Sequence, residues 1–495
     1  MKRSVWSQRD CCRSNGRPHN KGSKRCPRSP DASSGRPANE SWFMMDLIFH
    51  LGLSTMSAPT IPAEKTRLTR EEINHKQKEY IFPSVTTYFS DPVPMDRGVM
   101  QHVWDVEGKK YLDFFGGIVT ISVGHCNPRV ISRTKAQIDR LQHVSTCFPN
   151  EPMVTLAETL AQITPGALKK SYFTNSGTEA NETAIQIARM HTGNFEVVAL
   201  RQGYSGRSSL ARGLNGMSTW RRGTIEVGIV HAMNPYCYRC PLGLKYPDCE
   251  VACAKDIENT IQFSTSGRIA AFLAEPIQGV AGFVTPPKEY FKMAFNIVKQ
   301  YGGDFIADEV QTGWGRTGRK WFGIEHWEVE PDMITSAKGM GNGVPIGLTI
   351  AKPEIADSFQ GLTISTFGGN PVTCATAKAV IDVIEEDDLR TNAAEVGGYF
   401  RMKLEELQEK HPLIGDVRGM GLMQALELVE DRTTKQPSPV STTAVMEESR
   451  KRGLLIGKGG FHGNVIRMSP PLNISKADVD EAVRILDESF TAIKK

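Results

Sequence analysis

A lysine set among small residues and three acids at the ends of apolar runs have the most chemistry to offer in this sequence. Lys338 lies in SAKGMGNG, directly after the apolar run at 333–336. Glycine, alanine and serine around it let a bulky molecule approach the amine closely. A lysine enclosed in such a pocket loses its proton more readily than in water and forms a Schiff base with an aldehyde. Asp308 and Glu309 end the run FIA within FIADEVQTGWGRTG at 305–318, and Glu275 ends another run at 269–274. A carboxylate at the end of a buried strand either faces water or meets a cation, because burying it alone is expensive. An acid and a lysine at one rim also make an ordinary ion pair, so their surroundings decide between the readings.

Those surroundings point to pyridoxal phosphate. Its protonated ring nitrogen is a cation for Asp308, and a carboxylate beside that nitrogen keeps the ring an electron sink. Ser176, Gly177 and Thr178 in NSGTEAN open an expected helix, where free N–H groups and the helix dipole attract phosphate. Plain helix capping uses the same residue types. Tyr204, in RQGYSG, follows the run at 196–200 and offers a ring on which a flat cofactor stacks, although a lone tyrosine is more often core or surface. Glu275 is assigned to positioning near that ring, with a strand-end ion pair as the plainer alternative.

The elements that must carry these residues are legible as well. From about 171 to 351, short apolar runs alternate with amphipathic helical stretches, the sign of a doubly wound α/β domain. In such sheets ligands lie beyond the carboxyl ends of the strands. Strands are expected at 196–200, 269–274, 305–307 and 333–336, and KEYFKMAFNIVKQYGG reads as a helix with a glycine stop. After about 384 the pattern becomes a smaller α+β domain, including a capping-box start at Ser475 and Asp478. Residues near 85–120, with a hairpin around Glu107-Gly108, are expected to join it. The expected organisation is a leader at 1–55, the N-terminal part of the small domain at 56–120, a large cofactor-binding domain at 121–383 and the rest of the small domain at 384–495.

Composition excludes other classes. The chain has 495 residues, 40% hydrophobic and 23% charged, which suits a soluble globular protein of two or three packed units. The formal charge of +4 misleads: ten of 59 basic and four of 55 acidic residues fall in the first 55, leaving 49 against 51. Nucleic-acid binding therefore has no support in the body of the chain. The leader is Arg-rich and acid-poor like an organellar transit peptide, but shows no amphipathic stripe. It is expected to be disordered and outside the working fold, with Met56 a sensible start. The patch WFMMDLIFHLGL is too short to span a bilayer. Cytoplasmic residence is expected, or mitochondrial if the leader is a transit peptide. Four of the ten cysteines, Cys237, Cys240, Cys249 and Cys253, gather in CYRCPLGLKYPDCEVAC. A structural zinc site is one reading of this loop insertion and a reduced, proline-stiffened loop is the other.

SGTEAN, EPIQG, ADEVQTGxGRTG, AKGxGNG and TFGGNP, in this order, resemble the class III (ω-amino acid) aminotransferases of fold type I, over roughly 83–495. The resemblance implies an α/β fold with a large, mostly parallel-sheet domain and a small α+β domain built from both chain ends. It implies Lys338 as Schiff-base lysine and proton shuttle, Asp308 as partner of the pyridine nitrogen, Val310 packed on the ring and Gln311 at the ring hydroxyl. Gly177 and Thr178 would hold the phosphate and Tyr204 would stack. Thr366, in STFGGNP, would reach the phosphate of the neighbouring subunit, which implies a homodimer with shared active sites, or a tetramer built on it. Arg467, in NVIRMSPPL, would grip the substrate carboxylate with a bidentate geometry lysine lacks.

Two departures refine this picture. Ornithine- and 4-aminobutyrate-type relatives place a glutamate shortly after EPIQ that pairs with the arginine, whereas Val280 stands here. Arg467 is then left to small amino and oxo acids, and LDFFGGIVTISVGHCNP looks most like the alanine–glyoxylate aminotransferase 2 type. Ser205 stands where many relatives carry histidine or tryptophan, which leaves the pocket wall undefined. The expected reaction is ping-pong transfer of an amino group from alanine, β-alanine or a 3-aminoisobutyrate-like donor to glyoxylate or pyruvate. The alternatives are a 4-aminobutyrate/ornithine-type enzyme using 2-oxoglutarate, a decarboxylase or aminomutase on the same cofactor, and a non-catalytic, metal-stabilised binding protein.

Overall fold

Runs such as VVAL, AFLA and MITS become central strands because both of their faces are covered. The computed structural model describes residues 67–223 and 226–493. Seven strands form the main sheet, in the spatial order Lys170–Thr174, Gly347–Ala351, Met333–Ser336, Asp304–Asp308, Ala271–Ala274, Val197–Leu200 and Ile229–Ala232. Gly347–Ala351 runs antiparallel to both its neighbours, and the other pairings are parallel. Alternate residues divide between two apolar clusters. Val197, Ala199, Leu273, Ile306 and Met333 pack with Ile185 and Ala188 of the Gly177–Thr192 helix, while Val198, Phe272, Phe305 and Ile334 join the larger core on the other face.

The strands expected at 196–200 and 269–274 are shorter, Val197–Leu200 and Ala271–Ala274. Asp308 is the last residue of its strand and not the first beyond it. Two four-stranded sheets accompany the main one. In the first, the expected hairpin pairs His102–Asp105 with Lys110–Asp113, and Leu454–Leu455 adds in parallel, so distant parts of the chain share one sheet. The second orders Ile414–Met420, Met423–Leu428, Val465–Met468 and Gly457–Gly459, all antiparallel. Ser475 and Asp478 do form a capping box, opening the Lys476–Ala492 helix. Leu68–Lys495 holds together as one compact unit. Among the described residues, no helix is long and apolar enough to cross a membrane. The leader and its apolar patch lie outside the described residues.

Candidate active site

At the carboxyl rim of the main sheet, five strand ends surround a pocket of about 560 Å³ that opens to solvent. Its wall brings together Gly177, Thr178, Tyr204, Glu275, Asp308, Val310, Gln311 and Lys338 from the expected set, with Asn181, Ser205, Gly206 and Ala337. Lys338 follows the Met333–Ser336 strand with φ +42°, in the left-handed region that non-glycine residues seldom occupy. Burial pushes its ammonium pKa down to about 8, and Arg467 works in the same direction against Asp308 and Glu275. About a tenth of Lys338 is therefore a neutral, nucleophilic amine at pH 7, where an exposed lysine is almost wholly protonated.

Both acids that end the Asp304–Asp308 strand are buried, and they face different partners. Asp308 accepts from Asn181 Nδ2 at 2.8 Å and from the Val310 N–H at 3.1 Å. Burial still raises its pKa, and among the described residues no cation forms an ion pair with it. Glu309 points away to the loop after the glycine turn, where it accepts from the Gly323 and Ile324 N–H groups at 2.8 and 2.7 Å. Burial lifts its carboxyl to about 7 against those donors. The first acid faces the pocket and the second ties a loop.

Glu275 accepts from the Tyr204 N–H at 3.0 Å and the Gly279 N–H at 2.8 Å, so it fixes the backbone at Tyr204. Burial first, and the adjacent Asp308 second, raise its pKa. The Tyr204 ring is braced edge-on by Trp220, with centroids 5.1 Å apart. Ser176 does not line the pocket: it caps the Gly177–Thr192 helix, its hydroxyl accepting from the Glu179 N–H at 3.2 Å. Gly177 and Thr178, in the first helical turn, where N–H groups lack a partner within the helix, line the pocket.

Arg467 sits in the Val465–Met468 strand, 4% exposed and outside the wall just described. Its Nε donates to the Lys458 carbonyl at 3.2 Å and its Nη1 to the Gly279 carbonyl at 3.1 Å. Among the described residues no carboxylate forms an ion pair with it, and two carbonyls hold the buried guanidinium in place. Thr366 is exposed and takes no part in the pocket of its own chain.

The pocket fits pyridoxal phosphate on observations of its own. Gln311 Oε1 is buried without a partner, an acceptor waiting for a hydroxyl. A Cβ on Gly177 would stand 2.9 Å from the Val310 side chain, and one on Gly206 2.5 Å from Thr178 Oγ1, so both glycines keep space that a side chain would close. Asp308 supplies an acceptor that lacks a cation.

Sequence reasoning passed over Asn181, although it was within the quoted motif. The available signal was periodicity, since a residue four after Gly177 returns to the same helix face. The cysteine loop went otherwise than the zinc reading. Cys237, Cys240, Cys249 and Cys253 line one pocket of about 350 Å³, yet all are free thiols and no three His, Cys, Asp or Glu side chains among the described residues converge on a metal position. Burial pushes the Cys253 thiol up to about 12.

The family model for aminotransferase class-III matches residues 87–490. The chain is 43% identical over 434 residues to the mitochondrial alanine–glyoxylate aminotransferase 2 homolog 2 of Arabidopsis thaliana, covering 87% of this chain and 89% of that protein. It is 40% identical over 439 residues to the mitochondrial alanine–glyoxylate aminotransferase 2 of Homo sapiens, covering 84% and 85%. Among solved structures, a Bacillus anthracis aminotransferase superposes with a TM-score of 0.81 at 30% identity, covering 86% of this chain and 100% of that one.

Proposed function

The chain belongs to the class III aminotransferases and is a pyridoxal-phosphate-dependent transaminase, and from that premise we propose that it moves amino groups from alanine or a similar small donor to glyoxylate or pyruvate. The observation that carries the substrate reading is Arg467, a buried guanidinium tied to two carbonyls and to no acid. Val280, in place of a gating glutamate, leaves nothing to neutralise it when a second carboxylate is absent. The names of the Arabidopsis and human relatives support the same substrates, alanine and glyoxylate.

When bound, the cofactor supplies an aldehyde that condenses with amines and a ring that delocalises the electrons released at Cα. The chain does the rest. Lys338 Nζ would hold the group through its aldehyde and, when free, would serve as the base that moves a proton from the donor Cα. Asp308 would keep the ring nitrogen protonated, with Glu275 setting the backbone of Tyr204, on which the ring would stack. Gly177 and Thr178 would hold the phosphate, Gln311 would take the ring hydroxyl and Val310 would pack on the ring. Arg467 orients each substrate by its carboxylate, so that one pocket serves donor and acceptor in alternation, a ping-pong cycle.

Thr366 fits a shared site. It is exposed on a loop that also presents Leu362, Ile364 and Phe367 to solvent, which supports a homodimer in which this loop completes the neighbouring pocket. Both named relatives are mitochondrial, which favours mitochondrial residence over the cytoplasmic expectation.

A panel of donors against pyruvate, glyoxylate and 2-oxoglutarate tests the substrate reading. Activity is expected with the first two acceptors and weak activity with 2-oxoglutarate. A strong preference for 2-oxoglutarate would overturn the argument from Val280, and release of carbon dioxide without an oxo acid would favour a decarboxylase.

A further inference from the structure

Asn181 lies one turn inside the Gly177–Thr192 helix, 1% exposed, with its amide fully engaged. Its Nδ2 donates to Asp308 Oδ2 at 2.8 Å and to the Ser205 carbonyl at 3.0 Å, while its Oδ1 accepts from Thr335 Oγ1 at 2.6 Å. Turning the amide over would set its oxygen against two acceptors, the carboxylate and the carbonyl. The two acceptors select the orientation that aims N–H groups at Asp308, and the Thr335 hydroxyl, donating to Oδ1, completes it.

Register explains why these residues meet. Asp308 and Thr335 are paired across neighbouring parallel strands. Each lies two residues after a member of the apolar cluster beneath the Gly177–Thr192 helix, Ile306 and Met333, so both side chains leave the sheet on the helix side. Asn181 descends from that helix over the pair. The other ionisable groups facing Asp308 are Glu275, which opposes its ionisation, and Lys338, which favours it. Against burial, the Asn181 N–H is the foremost group favouring the ionised carboxyl, ahead of the Val310 N–H and Lys338.

We propose that Asn181 is the positioning residue that holds Asp308 as a carboxylate aimed at the cofactor ring, and that Thr335 locks the Asn181 amide in the orientation this requires. The inference rests on the role given to Asp308 above. It implies that ring electronics depend on a helix residue that need not touch the cofactor.

Three variants of the holoenzyme separate the possibilities: Asn181→Leu, Thr335→Val and Asp308→Asn, each followed by kcat and KM for the alanine half-reaction, the pH profile of kcat/KM and the melting temperature. A hydrogen bond to a charged group is strong enough that Asn181→Leu is expected to lower kcat about tenfold or more, with KM for alanine little changed. The acidic limb of the profile, where Asp308 takes up a proton, is expected to move to higher pH by about one unit. Thr335→Val, which removes only the hydroxyl, should move the limb in the same direction by less, and it decides the matter if Asn181→Leu does not fold. Should Asp308→Asn be inactive while the limb stays at the wild-type position in the variants that fold, the inference is overturned and the role of Asp308 stands. Should Asp308→Asn retain full activity, the role of Asp308 falls, and this inference with it.

Discussion

Arg467 is the residue on which the proposed choice of substrate turns. Its guanidinium is anchored through Nε and Nη1 by carbonyl oxygens, and its carbon lies 5.7 Å from the centre of the Phe283 ring. Carbonyls position a guanidinium without neutralising it, so its charge stays available to an incoming carboxylate. Arg467→Lys is expected to lower kcat/KM for alanine by about tenfold to a hundredfold, because a point charge cannot reproduce the planar fork. An arylalkylamine donor without a carboxylate should lose far less. Steady-state kinetics with both donors check this, and equal losses would remove Arg467 from carboxylate binding. Residues at this scale were legible where their chemistry was local: Lys338 among small residues and Asp308 at a strand end announce themselves. Glu309 did not, since its two backbone donors, at Gly323 and Ile324, come from a loop that only the folded chain brings near. Asn181 did not either, because amides serve as readily in caps and cores as in sites.

Among the elements, the glycine turns at strand ends do as much as the strands. Gly206 has φ +138°, and a Cβ there would lie 2.5 Å from Thr178 Oγ1 and 2.9 Å from the Ala211 side chain. Gly206→Ala is therefore expected to displace Thr178 or the turn itself, weakening cofactor retention and lowering stability by about 1–3 kcal/mol. Equilibrium dialysis of the cofactor and thermal melting of the cofactor-free protein check the two effects separately, and wild-type retention would remove this turn from the cradle. The central strands were readable because buried parallel strands are continuous apolar runs bounded by glycine. Their order was not. Gly347–Ala351 enters antiparallel between Lys170–Thr174 and Met333–Ser336, and nothing in a five-residue run names its neighbours. Likewise VRGMGLMQALEL carries parts of two antiparallel strands, Ile414–Met420 and Met423–Leu428, which meet at a glycine turn.

For the whole molecule, the decisive feature is convergence: strand ends far apart in the sequence surround one amine, while Thr366 is exposed outside that pocket. A shared site makes a symmetric prediction. Mixing Lys338→Ala with Thr366→Glu chains, each inactive alone, should restore about a quarter of wild-type activity, because half the random dimers carry one intact site of two. No recovery after verified subunit exchange would place Thr366 outside the partner's site. Beneath all of this lies the claim that Lys338 is the amine that holds pyridoxal phosphate, made reactive by burial that lowers its pKa to about 8. Borohydride trapping of the cofactor-loaded full-length chain, followed by peptide mass mapping, tests it directly. The account predicts the added mass on Lys338 alone, with the rate of attachment to cofactor-free protein rising through about pH 8 as Nζ loses its proton. Label on another lysine, or undiminished covalent attachment in Lys338→Ala, would contradict it.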